Sequence, residues 1–129
     1  MSAAADNVNI ALLQKSLDLV WYKQQATQNN IANHDTPGYK RKSVEFEDLL
    51  KSVLDSKTGS EEELVSEIYK IMPGISEDKS TSAKEDGNNV DLEQENIELA
   101  KEQLQYEYLA NSLTSQINRL KYVINEGKR

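Results

Sequence analysis

A chain of 129 residues is enough for one modest core, and with 37% hydrophobic, 6% aromatic and 29% charged residues it is helix-leaning rather than a dense globular enzyme. It has no cysteine, which excludes a disulfide framework, a thiolate nucleophile and a cysteine-ligated metal. Its net charge of −7 is concentrated in residues 61–95, which carry 11 acidic and 3 basic side chains, so no basic face is available to nucleic acid.

Met1–Asn9 has neither a basic n-region nor an apolar h-region, and no run approaches the roughly 18 apolar residues of a membrane span. Read alone, this predicts a cytoplasmic chain without a cleaved signal and without membrane insertion. The segment 1–9 is small and polar and is expected to be disordered. From Ile10 a heptad-like seam runs through Leu13, Leu17, Val20, Gln24, Thr27 and Ile31, with Leu12, Leu19 and Ala26 as a flanking stripe. The second half of that seam is polar. A helix from Ile10 to Asn33 would span roughly 36 Å.

Pro37 lacks an N–H and disfavours the α region for Thr36, so this helix must end near Asn33 or His34. Asn33 is expected to take the left-handed conformation at that end, with Lys40, Arg41 and Lys42 near the negative pole of the dipole. Pro37-Gly38 suits the centre of a type II turn. Asn29, Asn30 and Asn33 are poor helix formers, and propensity does not account for them.

Val44 and Phe46 alternate with polar residues, predicting a short extended piece. Leu49 to Leu54 suggests a short helix, broken at Thr58-Gly59-Ser60. Glu61 to Met72 reads as another, capped by Ser60 and stopped by Pro73-Gly74. Ser76 to Asn89 is almost free of apolar residues and is expected to be a flexible loop. From Val90 to Asn125 the pattern predicts a second long helix of roughly 52 Å. Asp91 and Gln94 make a capping-box-like start, and Gly127, Lys121, Lys128 and Arg129 suit its end. Its seam runs Leu92, Asn96, Leu99, Gln103, Tyr106, Ala110, Leu113, Ile117, Leu120 and Ile124. An antiparallel pairing leaves the residues beyond Leu113 overhanging the first helix.

The fold class expected is therefore mainly α. Long N- and C-terminal helices pair as a coiled coil or helical hairpin around a short, irregular or partly extended middle and a flexible loop. The organisation is a disordered segment 1–9, a helix and turn over 10–42, a variable middle and loop over 43–89, and a helix over 90–129. No catalytic, metal or cofactor site is expected. His34 is a lone histidine at a helix end, and Glu61-Glu62-Glu63 reads as a solvated helix start. On residues alone, a small acidic cytoplasmic helical adaptor or export chaperone is one reading.

A second reading comes from motifs. N-N-I-A-N-x-x-T-P-G-Y-K, carried by Asn29, Asn30, Ile31, Ala32, Asn33, Thr36, Pro37, Gly38, Tyr39 and Lys40, resembles the N-terminal signature of the bacterial flagellar rod, hook and hook-associated family. D-G-N-N-V-D-L-E-x-E at Asp86–Glu95 and K-x-Q-L-x-Y at Lys101–Tyr106 resemble the short proximal-rod branch of that family. The resemblance implies a structural rod subunit whose terminal helices pair and pack into a tubular wall. It also implies export through the flagellar type III apparatus without a cleaved signal, and a place in the basal body outside the cytoplasmic membrane. Copies of itself and other rod and basal-body proteins would be its partners. Asn29, Asn30, Ile31, Asn33, Thr36, Pro37, Gly38 and Tyr39 would then form an assembly interface, their amides reading backbone on a neighbour. Leu113, Ile117, Leu120 and Ile124 would form another, at the overhanging end.

Overall fold

The computed structural model describes residues 3–56, 59–82 and 84–127. Its elements are α1 (Ala3–Ala32), β1 (Lys42–Glu45), α2 (Glu47–Asp55), α3 (Glu61–Lys70), β2 (Gly74–Glu77) and α4 (Leu92–Glu126). Met1, Ser2, Thr58, Lys128 and Arg129, to which the sequence assigns roles above, lie outside the described residues.

The chain is mainly helical, and α1 and α4 pack together as the antiparallel arms of a hairpin. Thr27 of α1 meets Glu102 of α4 (2.9 Å), and Asp6 meets Arg119 (2.8 Å). The paired-helix expectation holds, with two corrections at the open end. Residues 3–9 are helical rather than disordered: the start is alanine-rich, Asp6 suits the positive pole of the first turn, and Arg119 anchors it across the hairpin. The longer α1 also removes most of the overhang. Only Leu120–Glu126, about 10 Å of helix, passes the level of Asp6. Leu113, Ile117 and Leu120 are consequently half-buried along the hairpin, and Ile124 is 50% exposed.

The middle of the chain folds onto α1, so α1 has neighbours on more than one side: α4, α3 and β1. This is why Leu19, expected beside the seam, lies at the centre of the core. It packs with Val20, Val44, Phe46 and Ile71, and Ala26, Leu50, Val53 and Leu109 close over them. The seam expected on early α4 is rotated as well. Glu95 and Glu102 face inward while Leu92, Asn96 and Gln103 are exposed.

Local signals place the middle elements where expected. The extended piece is β1, with Val44 buried in it and Phe46 buried just beyond it, where α2 begins. Ser60 caps α3 in a reciprocal capping box with Glu63. Pro73 follows the end of α3, and β2 then pairs antiparallel with β1, Val44 opposite Ile75 and Lys42 opposite Glu77. Ser76 and Glu77 are thus strand residues, and the Asp78 N–H continues the contact by donating to the Arg41 carbonyl (2.8 Å). The loop expected over 76–89 therefore begins at Asp78 rather than Ser76, and hydrogen bonds at Asp78 and Asn89 rather than apolar burial attach it to its neighbours.

Candidate functional site

The two motif-bearing segments meet at the closed end of the hairpin, and Asn30 is the pivot. It sits in the last turn of α1, fully buried. Its Oδ1 accepts from the Lys42 backbone N–H (2.9 Å) and the Tyr39 hydroxyl (3.0 Å). Its Nδ2 donates to the Lys42 carbonyl (2.7 Å) and to Glu95 Oε2 (3.2 Å). An amide has two donors and two acceptor lone pairs, so Asn30 is saturated. Burial raises the Tyr39 pKa, with the Glu95 and Glu77 carboxylates adding to it, which keeps the phenol a donor. Glu95 is buried in the first turn of α4, and its Oε1 receives Arg41 Nε.

Turn chemistry delivers these groups. The Tyr39 N–H donates to the Thr36 carbonyl (3.2 Å), and Gly38 has φ +72°, as a type II turn at Pro37-Gly38 requires. Gly87, at φ +77°, makes the facing turn, and the Gly38 N–H donates to the Asp86 carbonyl between them (2.8 Å). Lys40 Nζ donates to the Gly87 carbonyl (2.6 Å) and the Arg41 N–H to Asn89 Oδ1 (2.7 Å).

The end of α1 differs from the expected cap. Among the described residues no non-glycine residue has positive φ, so Asn33 is not left-handed. The helix instead tightens over its last residues: the Asn33 N–H is shared between the Asn29 (3.1 Å) and Asn30 (3.2 Å) carbonyls, and the His34 N–H makes an i→i−3 bond to the Ile31 carbonyl (3.3 Å). Carbonyls just past the helix end also receive donors from across the clamp. Asn88 Nδ2 donates to the carbonyls of Asn33 (2.7 Å) and Thr36 (2.8 Å), and Lys84 Nζ donates to that of His34 (3.1 Å). Lys84, not Lys40 to Lys42, meets the negative pole. Lys42 instead lies over the Tyr39 ring, 6.0 Å from its centroid. Asn88 Oδ1 in turn accepts from the Val90 N–H (2.9 Å). Replacing Asn88 with alanine should cost about 1–3 kcal/mol, because the buried Val90 N–H loses its acceptor and the Asn33 and Thr36 carbonyls each lose a donor, and chemical denaturation would measure it.

The residues expected to form an assembly interface therefore separate. Asn30 and Tyr39 act inside the subunit, Asn33 bonds its own helix (Nδ2 to the Asn29 carbonyl, 2.8 Å) and Thr36 (3.0 Å), and Ile31 is half-buried. Asn29, Thr36, Pro37 and Gly38 stay exposed. Leu113, Ile117, Leu120 and Ile124 lie toward the opposite end of α4. His34 rests its Nδ1 against the Ile31 carbonyl (2.9 Å). Arg41, Glu95, Asn88 and the Thr27–Glu102 pair were not singled out as site residues by sequence. The available signal was the polar second half of the α1 seam, where Thr27 falls.

Fold and site define a helical-hairpin subunit closed by a polar clamp, with apolar side chains left open on its outer faces. No family model matches the chain. It is 35% identical over 124 residues to the flagellar basal body rod protein FlgB of Bacillus subtilis (strain 168), covering 90% of this chain and 92% of the relative. It is 30% identical over 116 residues to FlgB of Borrelia hermsii (81% and 86% covered) and 29% over 125 residues to FlgB of Escherichia coli (strain K12) (88% and 91%). The chain belongs to the FlgB family of flagellar basal body rod proteins.

Proposed function

We propose that this chain is a structural, non-catalytic subunit of the proximal rod, packed against copies of itself and other basal-body rod proteins through the outer faces of its terminal helices. The observation that carries the reading is a division of labour. The signature amide of Asn30 is spent inside the subunit, while Ile97, Leu104 and Tyr108 on α4 and Trp21 and Tyr22 on α1 remain exposed. Apolar side chains grouped along an outer helical face support burial against a neighbour. Head-to-tail repetition of such a contact builds a helical wall. The exposed corner at Asn29, Thr36, Pro37 and Gly38 joins that surface, and Ile124 extends it at the far tip.

Passage through the flagellar type III apparatus belongs to the same reading, as does a final position in the basal body beyond the cytoplasmic membrane. Among the described residues no helix is long and apolar enough to cross a membrane. The adaptor or chaperone reading is not favoured, because the relatives named above are rod proteins.

Leu104 is 68% exposed, so Leu104→Asp should change monomer stability by no more than about 0.5 kcal/mol. In cells lacking the wild-type protein, this variant should be made and secreted normally yet fail to support swimming. Leu99→Asp, on the half-buried side of α4, should lower stability itself. A Leu104→Asp strain that swims normally would remove the outer face of α4 from the assembly surface.

A further inference from the structure

Glu102 is the buried acid that the clamp does not use. It lies between α4 and α1, 4% exposed, two turns along α4 from Glu95. Its Oε1 is 2.9 Å from Thr27 Oγ1, and that hydroxyl also lies 3.1 Å from the carbonyl of Lys23, one turn back on α1. A hydroxyl has one proton. When it goes to the Lys23 carbonyl, the usual back-bond of a helical threonine, the proton in the Glu102 contact must come from the carboxyl group. The second oxygen, Oε2, is buried with no hydrogen-bond partner among the described residues. An ionised carboxylate left that way is far costlier than a neutral acid.

The surrounding charges are engaged elsewhere. From α1 the cation facing Glu102 is Lys23, whose Nζ pairs with Glu47 of α2 (3.1 Å) and sits 5.6 Å above the Phe46 ring. Along α4, Glu95 holds Arg41, which comes from the segment before β1, and Glu98 holds Lys101 (3.1 Å). We propose that α1 and α4 close with Glu102 as a neutral carboxylic acid donating to Thr27, so that folding takes up a proton and the hairpin loosens as pH rises. This holds independently of how the subunit assembles.

The electrostatics agree. Burial raises the Glu102 pKa above its ordinary 4.5, and Glu98 and Glu95 add to the rise; Lys23 opposes it, as does the Thr27 hydroxyl when its proton points to the carboxylate rather than to the Lys23 carbonyl. A carboxyl raised on folding stabilises fully below its unfolded value, and that stability is lost as pH climbs through the folded value.

The test compares the full chain with Glu102→Gln, using Glu98→Gln as the control, by thermal unfolding from acid to mildly alkaline pH. Glutamine keeps the shape and supplies a donor permanently. Glu102→Gln should raise Tm by about 4 °C or more at neutral pH, and the two curves should meet at acid pH. An NMR titration of the Glu102 carboxyl carbon in the wild type should show proton loss above the ordinary glutamate range. It also decides the matter should the glutamine variant fail to fold. Parallel Tm curves, or a Glu102 carbon that titrates at the ordinary value, would overturn the proposal.

Discussion

Arg41→Ala should destabilise the subunit by about 3–5 kcal/mol, since it removes one partner of a buried ion pair and strands the other. The asymmetry of burial sets the direction: the Arg41 side chain is 30% exposed, whereas the Glu95 side chain is 1% exposed. Without Arg41, Glu95 keeps, among the described residues, the single bond from Asn30 Nδ2, too little to hold a carboxylate away from water. Arg41→Lys should recover only part of the loss, because an ammonium does not reproduce the planar Nε donor. Glu95→Gln should cost less than Arg41→Ala, since the neutral amide has no buried charge and the half-open guanidinium can turn to solvent. The check is a denaturant-unfolding cycle of Arg41→Ala, Glu95→Gln and the double variant. Strict additivity would mean that the pair is not coupled.

The second large effect is expected at Asn30. Asn30→Ala removes four hydrogen bonds at once and leaves Glu95 Oε2 and the Lys42 N–H and carbonyl short of partners. At about 1–3 kcal/mol for each buried group left unsatisfied, a loss of about 3–5 kcal/mol is expected. Asn30→Asp should also fail, for a different reason. A carboxylate has no donor for the Lys42 carbonyl, and it would face the Glu95 carboxylate across the 3.2 Å contact now made by the amide. Hydrogen exchange at the N–H groups of residues 38–42 gives a local readout. Protection should fall there first, because these residues are held to α1 and to the 86–89 turn by the clamp rather than by apolar contacts. Asn29→Ala is the control: Asn29 is exposed, and its substitution should leave protection unchanged.

The two variants also separate folding from assembly. A clamp variant that unfolds the closed end would impair swimming through the subunit itself. Leu104→Asp would impair it with the subunit intact. Stability measured on each purified chain tells these routes apart, so a motility defect alone does not identify the surface.

Where a signal is local, the sequence by itself determined the outcome. Pro37 and Gly38 force the turn because one lacks an N–H and the other takes positive φ without a Cβ clash. Ser60 with Glu63, and Asp91 with the Gln94 N–H, set helix starts through contacts three residues apart. Apolar periodicity determined that the ends of the chain are long helices that pair. Tertiary structure alone decided which face of early α4 turns inward. Periodicity puts Leu92, Asn96 and Gln103 there, yet Glu95 and Glu102 occupy the interface. A carboxyl group is buried only where the fold gives it hydrogen-bond partners, and these are distant in sequence: Arg41 and Asn30 for Glu95, at separations of 54 and 65 residues, and Thr27 for Glu102, at 75. The same reason explains the start of α1, where Asp6 is secured by Arg119, 113 residues away. A local pattern carries no information about such pairs, because their energy exists only once the hairpin has closed.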